Sequence, residues 1–403
     1  MSVAEIPDDA NRTGSTAWPA ASYEEQWWEV EEDQQTRANR IRSGRYFATI
    51  PAKIAELNWQ LDSALCALSE AAALEATKFD FRNGSETYSY DIVLLRSEAA
   101  ASSQIEQLTA SPRAIMQAEI GDTSKPNASL IAANTSALRM GLSKVQELTI
   151  DSILQVHGIL LASVPKLNPG HLRRVPVWIG GSSPVDARFV GAPWESIPEL
   201  MNDLVAYCKR TDIPVMVQAA LAHAQFETIH PFEDGNGRVG RALVHMHLRA
   251  AGVMSQAVLP VSGQLLQRSA EYYNALDQYR DGTPEPIVRL FAESMLDAVS
   301  NGTQLMRDVG QVSDDWNSRL NTRSDSGARI LADYALRQPV FTADSARAEL
   351  GLNSTKFYRA ADTLTEAGIL VRSKFYRDSD VWRAQPILDA MAGFAERAGF
   401  RNQ

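Results

Sequence analysis

His230-Pro231-Phe232-Glu233-Asp234-Gly235-Asn236-Gly237-Arg238-Val239-Gly240-Arg241 joins two helical patterns near the middle of a 403-residue chain. The pattern before it covers Pro214–Thr228, with Pro214 suited to a first helical turn. The pattern after it covers Arg238–Ala251 and is stopped by Gly252. Between them, Asp234-Gly235-Asn236-Gly237 tolerates positive φ, so successive backbone N–H groups can turn into one concavity. That concavity opens on a helix N-terminus, where unpaired donors and the macrodipole favour an anion. Arg238 and Arg241, three residues apart, share a helix face and suit two neighbouring phosphates. Asp234 offers a hard oxygen to a Mg2+ ion carried by phosphates. His230 has a side chain that titrates nearest neutrality, which suits a base acting on a hydroxyl.

Outward from this loop the chain reads as mainly helical. Residues 1–22 are expected to form a flexible tail. From Tyr23 to Leu108 the expectation is helix, on the recurrence of Ile54, Leu57, Leu61, Leu65 and Leu68 and on Ala-rich stretches. Ser97–Glu106 reads as a short helix, and residues 147–165 as an amphipathic one. Pro169 to Gly181 holds β-formers between turn residues and is expected to be a hairpin in itself. Helices follow at Trp194–Thr211, Leu265–Asp281 and Pro286–Arg307, then a linker at 321–327. Residues 328–400 alternate helical and strand-like patterns. Ser354 is expected to cap a helix over Thr355–Ala367, and Ile369-Leu370-Val371 and Phe375-Tyr376 to Val381-Trp382 read as two strands.

Composition sets limits on the function. The hydrophobic fraction is 45%, the charged fraction 22%, and the net charge −10, which argues against wholesale nucleic-acid binding. No apolar run approaches the roughly 20 residues of a membrane span, and the N-terminus lacks a signal-peptide pattern. Cys66 and Cys208 fit reduced thiols in a cytoplasmic protein. His245 and His247, two apart on a helix, cannot hold one metal ion together. His223 is expected to pack beneath the site, whereas His157 and His171 have no evident partners in the sequence. Trp27-Trp28 reads as a packing anchor.

The twelve-residue string resembles the signature HxFx(D/E)GNGRxxR of the Fic family at every specified position. The resemblance extends over roughly residues 85–300. It implies a mainly α fold with a β-hairpin flap, here divided into a tail (1–22), a helical N-terminal region with an inhibitory helix (23–125), a Fic core (126–310) and a winged helix-turn-helix (328–400). It also implies transfer of AMP from ATP to a Tyr, Thr or Ser hydroxyl of a protein. On this resemblance His230 is the base and Phe232 the aromatic anchor of the loop. Asp234 holds Mg2+, Gly235, Asn236 and Gly237 cradle the α-phosphate, and Arg238 and Arg241 meet the β- and γ-phosphates, with Val239 and Gly240 between them. Val177-Trp178-Ile179-Gly180 resembles the flap that pairs with a target backbone. Tyr272 and Arg280 fall on a segment like the one lining the adenine and ribose side.

Ser102 and Glu106 fit the family's inhibitory motif (S/T)xxxE(G/N), with Gln107 in place of Gly or Asn. Glu106 is then expected to pair with Arg241 within the same chain. Other readings of the same fold are transfer of UMP or phosphocholine, or an ATP-sensing DNA-binding regulator. Lys356 and Arg359 fall on the recognition helix of the winged module. Residues 325–383 carry nine Lys or Arg against eight Asp or Glu, a net of +1, so docking or self-association is favoured over DNA. A homodimer is compatible with this reading, and removal of AMP stays open.

Overall fold

The computed structural model describes residues 17–30, 43–85, 91–143, 147–320, 326–374 and 380–398. The expected tail at 1–16, the linker at 321–325 and the residues 375–379 between the last two strands lie outside the described residues. The tail does not run to residue 22. Trp18 is buried against Trp59 and Tyr279, and the Ala21 N–H donates to the Arg280 carbonyl at 2.7 Å.

The helical expectation also fails directly after the tail. β1 (Ser22–Trp28) and β2 (Gly44–Ile50) form an antiparallel pair in which Gln26 faces Tyr46. The cause is a period of two: Tyr46 and Ala48 point inward while Tyr23, Trp27 and Phe47 stay exposed. Trp28 packs edge-on against Trp178, 5.6 Å between rings, so it anchors as expected while Trp27 does not. Ile54, Leu57 and Leu61 are loop residues that fill the core from outside a helix.

Helices then dominate, as expected of a mainly α protein. α1 (Ser63–Ser85) starts where the Asp62 carboxylate accepts the N–H groups of Ala64 and Leu65. α2 (Asp91–Ile105) begins earlier than Ser97 and is buried along most of its length. α3 (Pro112–Glu119) is capped by Ser111, and α4 (Pro126–Ser143) follows. A reciprocal Thr149–Ser152 capping box starts α5 (Ile150–Leu160).

The flap does not close within Pro169–Gly181. β3 (Trp178–Ile179) pairs with β4 (Phe189–Val190), ten residues further on. Gly180 and Gly181 take positive φ, and the Asp186 carboxylate ties down the N–H groups of Ser182 and Ser183. Residues 169–176 are held to the core by Arg173 instead of forming a strand.

α6 (Ile197–Cys208) leads to α7 (Val215–Ile229), whose residues from Met216 onward are all buried, making it the central helix. α8 (Asn236–Ala250) packs beside it. The segment 265–281 breaks into α9 (Val261–Gln267) and α10 (Ser269–Arg280). α11 (Glu285–Arg319) runs twelve residues beyond the expected end, about 50 Å in all. It supports α1, α7, α9 and α10.

The C-terminal order is α12 (Gly327–Arg337), β5 (Val340–Thr342), α13 (Ala343–Leu350), α14 (Ser354–Glu366), β6 (Val371–Lys374) and β7 (Asp380–Arg383), with sheet order β5-β7-β6. This order of elements is compatible with the winged helix-turn-helix expected over 328–400. Asn353, not Ser354, caps α14, because its side chain accepts the Lys356 N–H at 2.9 Å. Lys356 and Arg359 are exposed on α14. α15 (Gln385–Arg397) turns back onto α11 and α3, fastening the module to the body. No helix among the described residues is long and apolar enough to cross a membrane.

Candidate functional site

The loop between α7 and α8 is built by three local constraints. His230 ends α7 in the left-handed region (φ 54), with its N–H still donating to Phe226 O at 2.9 Å. Asn236 closes the loop: its Oδ1 accepts the Phe232 N–H at 2.9 Å, and its Nδ2 donates to Phe232 O at 2.8 Å. Phe232 is fully buried and stacks on the His157 ring at 3.8 Å. Gly235, at φ +79, sits where a Cβ would press on Leu160 at 3.1 Å. Asn236 thus serves the loop with its side chain, and only its backbone remains for an anion. The first turn of α8 then presents N–H groups without helical acceptors.

Two residues with no expected role at the site hold this loop. His157 does have partners: Nδ1 accepts the Gly170 N–H at 2.9 Å, and Nε2 faces Asp234 O at 3.2 Å. Burial pushes its pKa down to about 4, so the ring is neutral and Nε2–H donates to that carbonyl. Arg173 is buried and donates to the carbonyls of His230, Val175 and Ala192. Both residues act across sequence separations of more than 50 residues, and no local pattern announces them.

His230 opens on a cavity of about 410 Å3 lined also by Glu106, Asp234, Arg238, Arg241, Tyr272 and Arg280. Its Nδ1 lies 3.2 Å from Glu227 O. A carbonyl can only accept, so Nδ1 carries the proton and Nε2 is left with a lone pair. Burial pushes the His230 pKa down to about 4, leaving the ring neutral and competent as a base.

The expected charged residues converge here. Arg238 is buried and lies 3.5 Å from Asp234 Oδ1. Arg241, 2% exposed, donates to Ser102 Oγ at 2.9 Å, Ser102 O at 2.7 Å and Glu106 Oε1 at 2.9 Å. Asp234 is half-exposed on the cavity wall, with Oδ1 accepting the Gly235 N–H. No group of three metal-binding side chains occurs among the described residues. A hard cation at Asp234 would complete its shell with water and the oxygens of any bound anion, which is compatible with Mg2+ carried by phosphates.

On the flap, Val177 O and Ile179 O accept bonds from the Gly191 and Arg188 N–H groups on the β4 side. The intervening Trp178 N–H and C=O face the opposite, free edge. Gly180 provides the turn at φ +73. Tyr272 lies in the wall, but its hydroxyl is engaged by His223 Nε2 at 2.8 Å, which places His223 beneath the site as expected. Arg280 stacks over the Phe189 ring at 4.1 Å and donates to Asp277. His171 Nδ1 lies 3.0 Å from Pro169 O.

α2 runs antiparallel to α8, with matched steps of four residues. Glu98 is 3.1 Å from His245 Nε2 and accepts the N–H and hydroxyl of Ser262. Ser102 and Glu106 meet Arg241. Gln107 takes φ 62, a conformation that Gly or Asn adopts at less cost. At the other end, Arg96 donates to Glu119 and to the Arg337 carbonyl, which ties α2 to the C-terminal module.

Residues 147–248 match the Fic/DOC family model. The protein adenylyltransferase fic-1 of Caenorhabditis elegans is 31% identical over 147 residues, covering 36% of this chain and 27% of the relative. The protein adenylyltransferase Fic of Drosophila willistoni is 31% identical over 147 residues, covering 36% of this chain and 28% of the relative. The chain thus spans about a quarter of the length of the curated relatives it matches. The crystal structure of a Fic family protein from Desulfovibrio desulfuricans G20 aligns with a TM-score of 0.53 at 20% identity, over 81% of this chain and 97% of that one. That likeness supports the fold alone. The stretch that matches the Fic/DOC family model, residues 147–248, runs from α5 through α8 and includes His230 and the turn that opens α8.

Proposed function

We propose that this chain transfers AMP from ATP to a hydroxyl side chain of a protein. The observation that carries the reading is the placement of a neutral His230, with a free Nε2, in one cavity with the first turn of α8, Arg238 and Arg241. The α8 N-terminus and Arg238 neutralise charge on the phosphates. Asp234 would hold Mg2+ together with phosphate oxygens, and the ion would supply further charge neutralisation. The free edge of β3 at Trp178 holds an extended target segment by strand addition, which fixes the hydroxyl near His230 without reading its sequence. His230 Nε2 takes the hydroxyl proton as oxygen attacks the α-phosphorus, and pyrophosphate leaves.

We further propose that the chain restrains itself. Glu106 occupies Arg241 and lies over the first turn of α8, its Oε1 only 2.1 Å from the position a Cβ on Gly237 would take. A γ-phosphate seeking Arg241 has to displace this carboxylate.

The test is incubation of the Glu106→Gly chain with each radiolabelled nucleotide and candidate target proteins, itself included, followed by mapping of the modified residue. Label from ATP, lost on His230→Ala, is expected. Label from CTP or UTP alone, or label that survives His230→Ala, overturns the proposal.

A further inference from the structure

Glu227 has no part in the chemistry above, yet it lies inside the same cavity. It stands one turn before His230 on α7 and is buried, and its Oε1 has no hydrogen-bond partner. Its Oε2 lies 3.9 Å from His230 Nδ1, the nitrogen not used for proton uptake. Room for it comes from α8: a Cβ on Gly240 would lie 2.4 Å from Glu227 Oε1, so only glycine there leaves the carboxylate in place. An unpartnered buried carboxyl costs stability, and here it is directed at the back of the base.

We propose, on the adenylyl-transfer reading, that Glu227 is a positioning residue for the base: its carboxylate faces His230 Nδ1 and provides the negative charge against which the imidazolium forms. The need follows from the surroundings. When His230 takes a proton it becomes a buried cation, and Arg173 and Arg280 already oppose that charge. The target oxygen bonds to the α-phosphorus, and the bond to the bridging oxygen breaks. Pyrophosphate leaves with the electron pair, and the hydroxyl proton goes to Nε2. Nδ1 keeps its proton throughout, bonded to Glu227 O and faced by the Glu227 carboxylate, which takes no proton itself.

The titratable groups facing Glu227 are the neutral His230 on its own helix, Arg241 from α8, Tyr272, Tyr273 and Arg280 from α10, and Glu106 beyond α2. Burial lifts the Glu227 carboxyl to about 7, with Arg241 and Arg280 opposing and Glu106 assisting. Activity that needs the carboxylate therefore falls as pH drops through about 7, well above the titration of His230 itself.

The experiment compares Glu227→Gln with its parent in the Glu106→Gly background. We expect kcat to fall about 10- to 100-fold, because Nδ1 retains its carbonyl partner and loses only the charge. KM for ATP stays unchanged, and the acid limb, which in this background lies somewhat below pH 7 because Glu106 no longer raises the Glu227 carboxyl, disappears. Unchanged kcat with the acid limb intact overturns the inference, as does a raised KM with unchanged kcat, which would make Glu227 a nucleotide contact. Should Glu227→Gln not fold, Gly240→Ala displaces the carboxylate sterically and is expected to lower kcat in the same way; full kcat there also overturns it.

A readout independent of transfer is the His230 Nδ1 proton resonance in 15N-histidine-labelled protein at pH 8. It moves upfield in Glu227→Gln, and an unmoved resonance refutes the pairing. If the resonance moves but the parent labels no protein, the adenylyl-transfer reading fails and the pairing stands.

Discussion

Replacing Glu106 by glycine tests the restraint at its point of contact. The carboxylate accepts one charged hydrogen bond from Arg241 at 2.9 Å. Such bonds contribute about 1.5–3 kcal/mol. Arg241 is 2% exposed but the Glu106 side chain is 39% exposed, so solvent screening cuts this to about 1–1.5 kcal/mol. That difference is a factor of roughly 5 to 12 in an equilibrium constant. The two bonds from Arg241 to Ser102 survive the change, so the guanidinium stays in position to receive a phosphate. Calorimetric titration with ATP is expected to show Kd falling by about tenfold. Incorporation of labelled AMP rises by at least as much, since the carboxylate also leaves the first turn of α8. Ser102→Ala removes a neutral acceptor only and gives a smaller rise. If Glu106→Gly leaves both affinity and incorporation unchanged in a folded chain, the carboxylate is a bystander and the argument fails.

Three further outcomes follow from the same geometry. Phe232→Ala removes a fully buried ring stacked on His157 and is expected to cost about 3–5 kcal/mol in denaturant unfolding; a loss below about 1 kcal/mol would contradict its anchoring role. Burial holds His157 and His247 at about 4 and His223 at about 3, below the unfolded value near 6.5. Between these limits the unfolded chain binds more protons, so stability is full above pH 6.5 and declines as pH falls toward 4; a melting temperature flat over that interval refutes it. Finally, with a net charge of +1 over residues 325–383, the full chain is expected to give no salt-sensitive shift of duplex DNA in a gel; a shift that weakens steeply with salt would assign α14 to DNA.

Much of the site was legible because its residues are consecutive. The loop from His230 to Arg241 announces its own turn and the helix start after it, and His230, Arg238 and Arg241 line one cavity in the structure. Ser102 and Glu106 were legible through their spacing, although Gln107 departs from the expected residue and adopts the left-handed backbone all the same. What escaped was long-range. Arg173 and His157 work by reaching carbonyls distant in sequence. β4 lies beyond a loop whose closure depends on Asp186, so the strand partner of Trp178 could not be read from the strand itself. The pairing of β1 with β2 escaped for a different reason. Its seven-residue strands alternate against a small satellite core, and apolar spacing further along imitated a helix.

α2 has unequal stiffness along its length. Its body is clamped by contacts to four neighbouring helices: Arg96 reaches Glu119 on α3 and the Arg337 carbonyl on α12, and Glu98 meets Ser262 on α9 and His245 on α8. Glu106 lies just past the last helical residue, Ile105, with much of its side chain in solvent. On the proposed restraint, release needs no sliding of the helix. The carboxylate can swing aside by rotation about its own side-chain bonds, on the nanosecond scale of exposed rotamers, while the plate that carries it stays fixed. Such a bolt is quick to draw and returns to the same register each time.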